Sequence, residues 1–190
     1  MKQKVLKTNL ESLKYLRFIS WGEVFDTWRE LEAWQELWKA HWTERGFESW
    51  DEWRHAYAKP LHPEALDWQL YHLTHPLADS PLLYGTPTTG WIKKAYQGKI
   101  TKQLKDLVRL PIISQNEKIR DIQRAFPEET QLTGIVHNGN VILIEGMHRA
   151  AALASWNSDI PFAGKVTLAL AEWTEAVPAL GGNYKMPSRE

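Results

Sequence analysis

Large apolar residues recur along this chain in two rhythms. From Trp21 onward, Trp21, Phe25, Trp28, Leu31, Trp34, Trp38 and Trp42 fall three or four positions apart. That spacing predicts one stripe along an α-helix, with acids such as Glu23, Asp26, Glu30 and Glu36 in between. Ser20 and Glu23 form a capping box at its start, the serine accepting an orphan N–H and the glutamate reaching back. Ser49 and Glu52 repeat that signal before a second helix over 50–57, and Gly46 stands between the two as a helix stop. Pro60, Pro63, Pro76, Pro81 and Pro87 then punctuate 59–90, which suggests a boundary there, with a short helix from Glu64 to Leu73.

After Gly90 a basic amphipathic helix is expected to about Val108, with Gly98 a weak point inside it. Leu110 to Ile113 reads as a short edge strand because of Pro111, and Lys118 to Phe126 as a helix capped by Asn116. The strand pattern is clearest later. Thr133 to His137 and Asn140 to Glu145 are two strands joined by Asn138-Gly139, a turn whose two residues need positive φ. Val141-Ile142-Leu143-Ile144 is apolar enough to be buried on both faces. Gly146 breaks the strand, and Arg149 to Trp156 is a helix by propensity. Val166 to Ala171 is a further strand, and a loose tail follows from Glu175. The predicted architecture is α+β. It has a Trp-rich helical region over 1–90, a small mixed sheet with flanking helices over 91–174, and a tail over 175–190.

Composition narrows the chemistry. There is no cysteine, which excludes disulfides, zinc–thiolate sites, iron–sulfur clusters and a cysteine nucleophile. The first residues hold no continuous apolar core of signal-peptide kind, and no apolar run is long enough for a bilayer; the expectation is a cytoplasmic protein without a membrane. Net charge is zero but segregated: residues 21–54 sum to −5 (nine acids, four bases) and residues 92–124 to +6 (nine bases, three acids). The basic stretch suits a phosphate-bearing ligand or a nucleic acid, or is simply a solvated face. Seven of the eleven tryptophans lie within residues 21–53. Their stripe suits a core, and its rivals are a protein-partner groove or a base-stacking face.

The chemistry concentrates at Glu145-Gly146-Met147-His148-Arg149, where a buried strand hands over to a helix. A helix start presents unpaired N–H groups and partial positive charge. Glycine lets a ligand approach the backbone, and His148 and Arg149 add donors, the guanidinium as a planar fork. Physically this is an anion cradle. The alternative is that His148 and Arg149 only pair with Glu145 or cap neighbours.

The run NGNVILIEGMHRAAALA resembles the ParB/sulfiredoxin signature, in which a hairpin enters a Gly-x-(His/Arg)-Arg loop and a small-residue helix. The resemblance covers roughly residues 108–171 and is sharpest over 138–154. Members of that superfamily bind nucleotide phosphates through the loop; among them are CTP-dependent partition clamps, sulfinic-acid reductases and a free-serine kinase. The resemblance implies that Gly146, His148 and Arg149 hold phosphates. Met147 stands where sulfiredoxins carry their catalytic cysteine, so sulfinic-acid reduction is out. Only a short tail follows the last strand, so the helix-turn-helix of a partition clamp is not expected. Kinase-like members need a carboxylate, for which Glu145 is the nearest candidate, with His148 beside it; Glu128-Glu129 is a more distant one.

Thr86, Thr88 and Thr89 in a Gly-rich segment, followed by Lys93 and Lys94, form a secondary phosphate or substrate loop, or a plain capped loop. His72 and His75 are spaced for one helix face but lack a third ligand, so no metal site is assigned. The expected function is nucleotide or phosphate-ester binding at Gly146–Arg149, with phosphoryl transfer or hydrolysis by Glu145 and His148 and magnesium sharing the phosphates. The alternative is a non-catalytic ParB-like module that recruits a protein through the Trp-rich helix, or a nucleic acid.

Overall fold

The computed structural model describes residues 5–182. Five strands make one mixed sheet: β1 (Leu13–Phe18), β2 (Gln69–Leu73), β3 (Glu129–His137), β4 (Asn140–Glu145) and β5 (Lys165–Glu172). Their order across the sheet is β1-β2-β5-β3-β4. Only β3 and β5 run parallel; the other neighbours are antiparallel. The helices are α1 (Trp21–Glu32), α2 (Glu36–Thr43), α3 (Trp50–Ala58), α4 (Pro76–Asp79), α5 (Thr89–Lys94), α6 (Leu104–Leu107), α7 (Pro111–Ser114), α8 (Glu117–Arg124) and α9 (Met147–Ala154). The α+β class read from the sequence is the class observed.

The hairpin forms as its turn residues require, with φ of 50° at Asn138 and 79° at Gly139. Along β4, side chains alternate between two cores. Val141 and Leu143 join the cluster that includes Ala150, Ala151 and Leu153 of α9. Ile142 and Ile144 join the cluster of Trp21, Trp28, Trp50 and Trp68. One face of the sheet is thus covered by α9 and its neighbours, the other by tryptophans. The fully buried Trp28 donates its indole N–H to Thr133 Oγ1 at 2.9 Å, which spares a buried polar group the cost of standing alone. The first part of the aromatic stripe is core.

Several expectations are corrected. The stripe is not one helix: the chain turns between α1 and α2, where Trp34 Nε1 and Gln35 Nε2 donate to the terminal carbonyls of Glu30 and Leu31. Trp34 is consequently 74% exposed. The helix expected over Glu64 to Leu73 is instead a 3-10 turn at Pro63–Ala65 followed by β2. Gln69, Tyr71 and Leu73 are buried, while Leu70 and His72 are half-buried, a period of two. His72 and His75 therefore share no helix face. The basic helix expected after Gly90 is broken into α5 and α6 around Gln97 and Gly98, both at positive φ. Leu110 to Ile113 is not a strand, because Pro111 opens α7, where its missing N–H costs nothing. The first 90 residues are not purely helical: β1 and β2 belong to them, and β2 pairs with β5. The tail is held at its start, since Leu180 is buried and exchanges hydrogen bonds with Pro87 and Thr89. The rest of it, 183–190, lies outside the described residues.

Candidate functional site

The strand end of β4, the start of α9 and the tryptophan-covered face enclose a cavity of about 460 Å³. That is the size of a small-molecule site. Its floor is Ile144 to Arg149. One wall is Glu32, Trp38, His41, Trp53, Arg54 and Tyr57; the other is Thr86 to Trp91 excluding Pro87, with Lys118 and Ile122 of α8 and Gly181-Gly182. The two loops singled out from the sequence therefore meet in one place, brought together by the hydrogen bonds that β4 makes with Tyr84 and that Thr89 and Pro87 make with Leu180.

Gly146 has φ of 93°, and a Cβ there would stand 2.5 Å from Leu132 Cδ2. Only glycine fits this turn without displacement. It offers α9 no side-chain cap, so the helix start opens onto the cavity. Met147 is buried in the α9 core while its edge lines the floor.

Arg149 does not extend its fork to a ligand. Its guanidinium donates to both Glu145 oxygens at 2.5 and 2.7 Å, to the Gln131 carbonyl at 3.0 Å and to Thr130 Oγ1. The reason is burial: Glu145 closes a core strand, and a carboxylate taken from water needs a partner. Burial pushes the Glu145 carboxyl up, and the Arg149 charge pulls against it. The sequence alternative, that Arg149 pairs with Glu145, is what the structure contains. His148 lines the cavity with its ring 6.0 Å from that of Trp91. Burial, with the charges of Lys118 and Arg149 behind it, drives its pKa down to about 4. At neutral pH it is an uncharged imidazole and a feeble base.

Thr86, Thr88 and Thr89 all line the cavity. Thr88 caps α5 by accepting from Trp91 N at 3.4 Å, and the Thr86 carbonyl accepts from Tyr96 at 2.9 Å. Lys93 and Lys94 are exposed on the last turn of α5 and take no part in the lining.

Sequence reasoning overlooked a second ion pair. Arg54 Nε donates to Glu32 Oε2 at 2.7 Å, and a terminal nitrogen reaches Glu32 Oε1. Its guanidinium lies 4.6 Å from the Trp53 ring centroid and 4.8 Å from that of Tyr57. Burial works against the Arg54 charge, and Glu32 more than restores it. The signal was present: Glu32 continues the stripe of Trp21, Phe25 and Trp28, and Arg54 that of Trp50 and Tyr57. Each puts a charge on a buried helix face. Lys118 was also overlooked. It is half-buried, its ammonium is 4.8 Å from the Trp38 ring centroid, and burial lowers its pKa.

Among the described residues both cavity carboxylates, Glu32 and Glu145, are therefore engaged by arginines. Among the described residues no group of three His, Asp or Glu converges. These residues do not fit a resident magnesium ion. Nor does the tryptophan stripe form an outward patch, because Trp28 is core, Trp38 lines the cavity and Trp34 stands exposed without them. Among the described residues no helix is long and apolar enough to cross a membrane. No protein-family model, curated protein or solved structure matches this chain.

Proposed function

We propose that the protein binds a nucleotide, or a phosphate ester of similar aromatic character, in the cavity between the Thr86–Trp91 segment and the Gly146–Arg149 turn. The observation that carries this reading is the meeting of those two loops in a space of about 460 Å³ lined by aromatic rings. A phosphate would lie at the uncapped start of α9, where backbone N–H groups and the helix dipole favour an anion. Thr88 and Thr89 line the same space. Lys118 adds positive potential that Glu32 and Glu145 do not cancel, since those acids pair with Arg54 and Arg149. Trp91 and the neutral ring of His148 offer a base a stacking surface.

The site supports binding better than phosphoryl transfer. A general base needs a carboxylate or imidazole free to take a proton near neutral pH. Glu145 is held at both oxygens, and His148 titrates about 4. The reading is thus the non-catalytic version of a ParB/sulfiredoxin-like module. The hairpin, the left-handed Gly146 and the small-residue helix α9 support that resemblance. Arg149, turned to Glu145, departs from it.

A thermal-shift screen of nucleoside mono- and triphosphates and inorganic phosphate tests the proposal. A ligand at a hundred times its Kd stabilises by about 2.7 kcal/mol. Trp91→Ala should weaken nucleotide binding by about 1–3 kcal/mol while leaving inorganic phosphate unaffected. If no nucleotide raises the melting temperature at millimolar concentration, the proposal fails.

A further inference from the structure

Among the described residues the cavity holds one amine, and its surroundings are unusual for a lysine. Lys118 projects from the first turn of α8 into the cavity and lies over the Trp38 ring. Among the described residues it has no carboxylate at ion-pair distance and no hydrogen-bond acceptor. The two acids that could have paired with it, Glu32 on α1 and Glu145 on β4, are taken by Arg54 on α3 and Arg149 on α9. The groups acting on it are therefore two neutralised ion pairs, with the uncharged His148 beside them. Arginine holds both carboxylates, Arg54 through two nitrogens of its planar fork and Arg149 through one terminal nitrogen that reaches both Glu145 oxygens. The lysine is left facing the cavity against the Trp38 ring. A surface lysine keeps its proton in water; an amine in such a place more readily gives it up and exposes its lone pair.

We infer that Lys118 is a nucleophile that forms an imine with a phosphorylated aldehyde bound in the cavity. The phosphate half of this inference rests on the anion seat proposed at α9; the amine half rests on the cavity alone. The Lys118 ammonium first releases a proton to solvent. The Nζ lone pair then attacks the carbonyl carbon, a C–N bond forms, and the carbonyl π pair moves to oxygen, which takes up a proton. The attached nitrogen gives up one N–H proton, the hydroxyl takes up a second proton and leaves as water while the freed nitrogen pair forms C=N, and loss of the last N–H proton leaves the neutral imine. One aldehyde and one amine give one imine and one water, with no change of oxidation state. Lys118 would be the reacting group, its nitrogen 4.8 Å from the Trp38 ring centroid.

The test uses the full chain, glyceraldehyde 3-phosphate, glyceraldehyde without phosphate, and borohydride to reduce any imine to a stable amine, followed by peptide mass mapping. At limiting phosphorylated aldehyde near neutral pH, Lys118 should carry the adduct at least about tenfold more than exposed Lys93 and Lys94. Lys118→Arg, folded by its thermal transition, should lose the adduct. If glyceraldehyde marks Lys118 as selectively as its phosphate does, the nucleophile stands and the anion seat falls. Adducts spread evenly over surface lysines, or unchanged in Lys118→Arg, overturn the inference.

Discussion

Replacing Arg149 with methionine tests whether this arginine holds the fold or the ligand. In the wild type its guanidinium is spent on Glu145, Thr130 and the Gln131 carbonyl. The Arg149 and Glu145 side chains keep only 13% and 6% of their exposure, so water screens the pair little. Methionine replaces the stem but leaves the Glu145 carboxylate buried without a counter-charge. Breaking a buried pair this way costs about 3–5 kcal/mol. Against a total of about 5–15 kcal/mol, the variant stands close to unfolding. For a chain of this size the melting temperature should fall by about 6–20 °C. The pH dependence has a definite sign. Burial already raises the Glu145 pKa, and the variant loses the positive charge that opposed the rise. A carboxyl raised above its unfolded value stabilises the fold most at acidic pH, and that stability is lost as pH rises through the folded pKa. The deficit against wild type should therefore narrow on acidification from neutral pH. Adding Glu145→Gln should recover most of the loss, because no buried charge remains. Urea unfolding followed by tryptophan fluorescence measures all of this, with nucleotide titrations of the folded fraction alongside. If Arg149→Met stays within about 1 kcal/mol of wild type yet abolishes nucleotide binding, Arg149 is a ligand residue and the reasoning is wrong.

Two further outcomes are expected. Trp28→Ala should lower unfolding free energy by about 3–5 kcal/mol, whereas Trp34→Ala, at 74% exposure, should change it by no more than about 0.5 kcal/mol; equal effects in urea titrations would remove Trp28 from the core. The His148 ring should titrate at about 4 by NMR, not at its usual 6.5. Because its folded pKa lies below its unfolded one, its contribution to stability is present above 6.5 and is lost as pH falls through about 4. His148→Asn should flatten that part of the stability profile, and an NMR midpoint near the usual value would show that the ring is not desolvated.

Local chemistry was legible wherever the chain decides by itself. The Ser20–Glu23 capping box, the Asn116 cap, the Asn138-Gly139 turn and the break at Gly146 depend on a few neighbouring atoms, and each forms as read. The doubly buried strand β4 was legible because its apolar run permits no solvated face. Elsewhere tertiary contacts made the choice. Gln69 to Leu73 suits helix or strand, and becomes β2 because β1 and β5 supply hydrogen-bond partners on either side. The destination of Arg149 could not be read from its motif. A guanidinium beside an anion-binding turn and one beside a buried carboxylate look alike until the depth of Glu145 is known, and burial is a property of the whole fold. Glu32 and Arg54, 22 residues apart, meet only when α1 and α3 pack together, and that pairing leaves Lys118 alone in the cavity. The sequence by itself determined the turns, the caps and the strand–turn–helix unit. The tertiary structure decided which charges neutralise one another, because partnership between distant side chains exists only once the packing has set their distances.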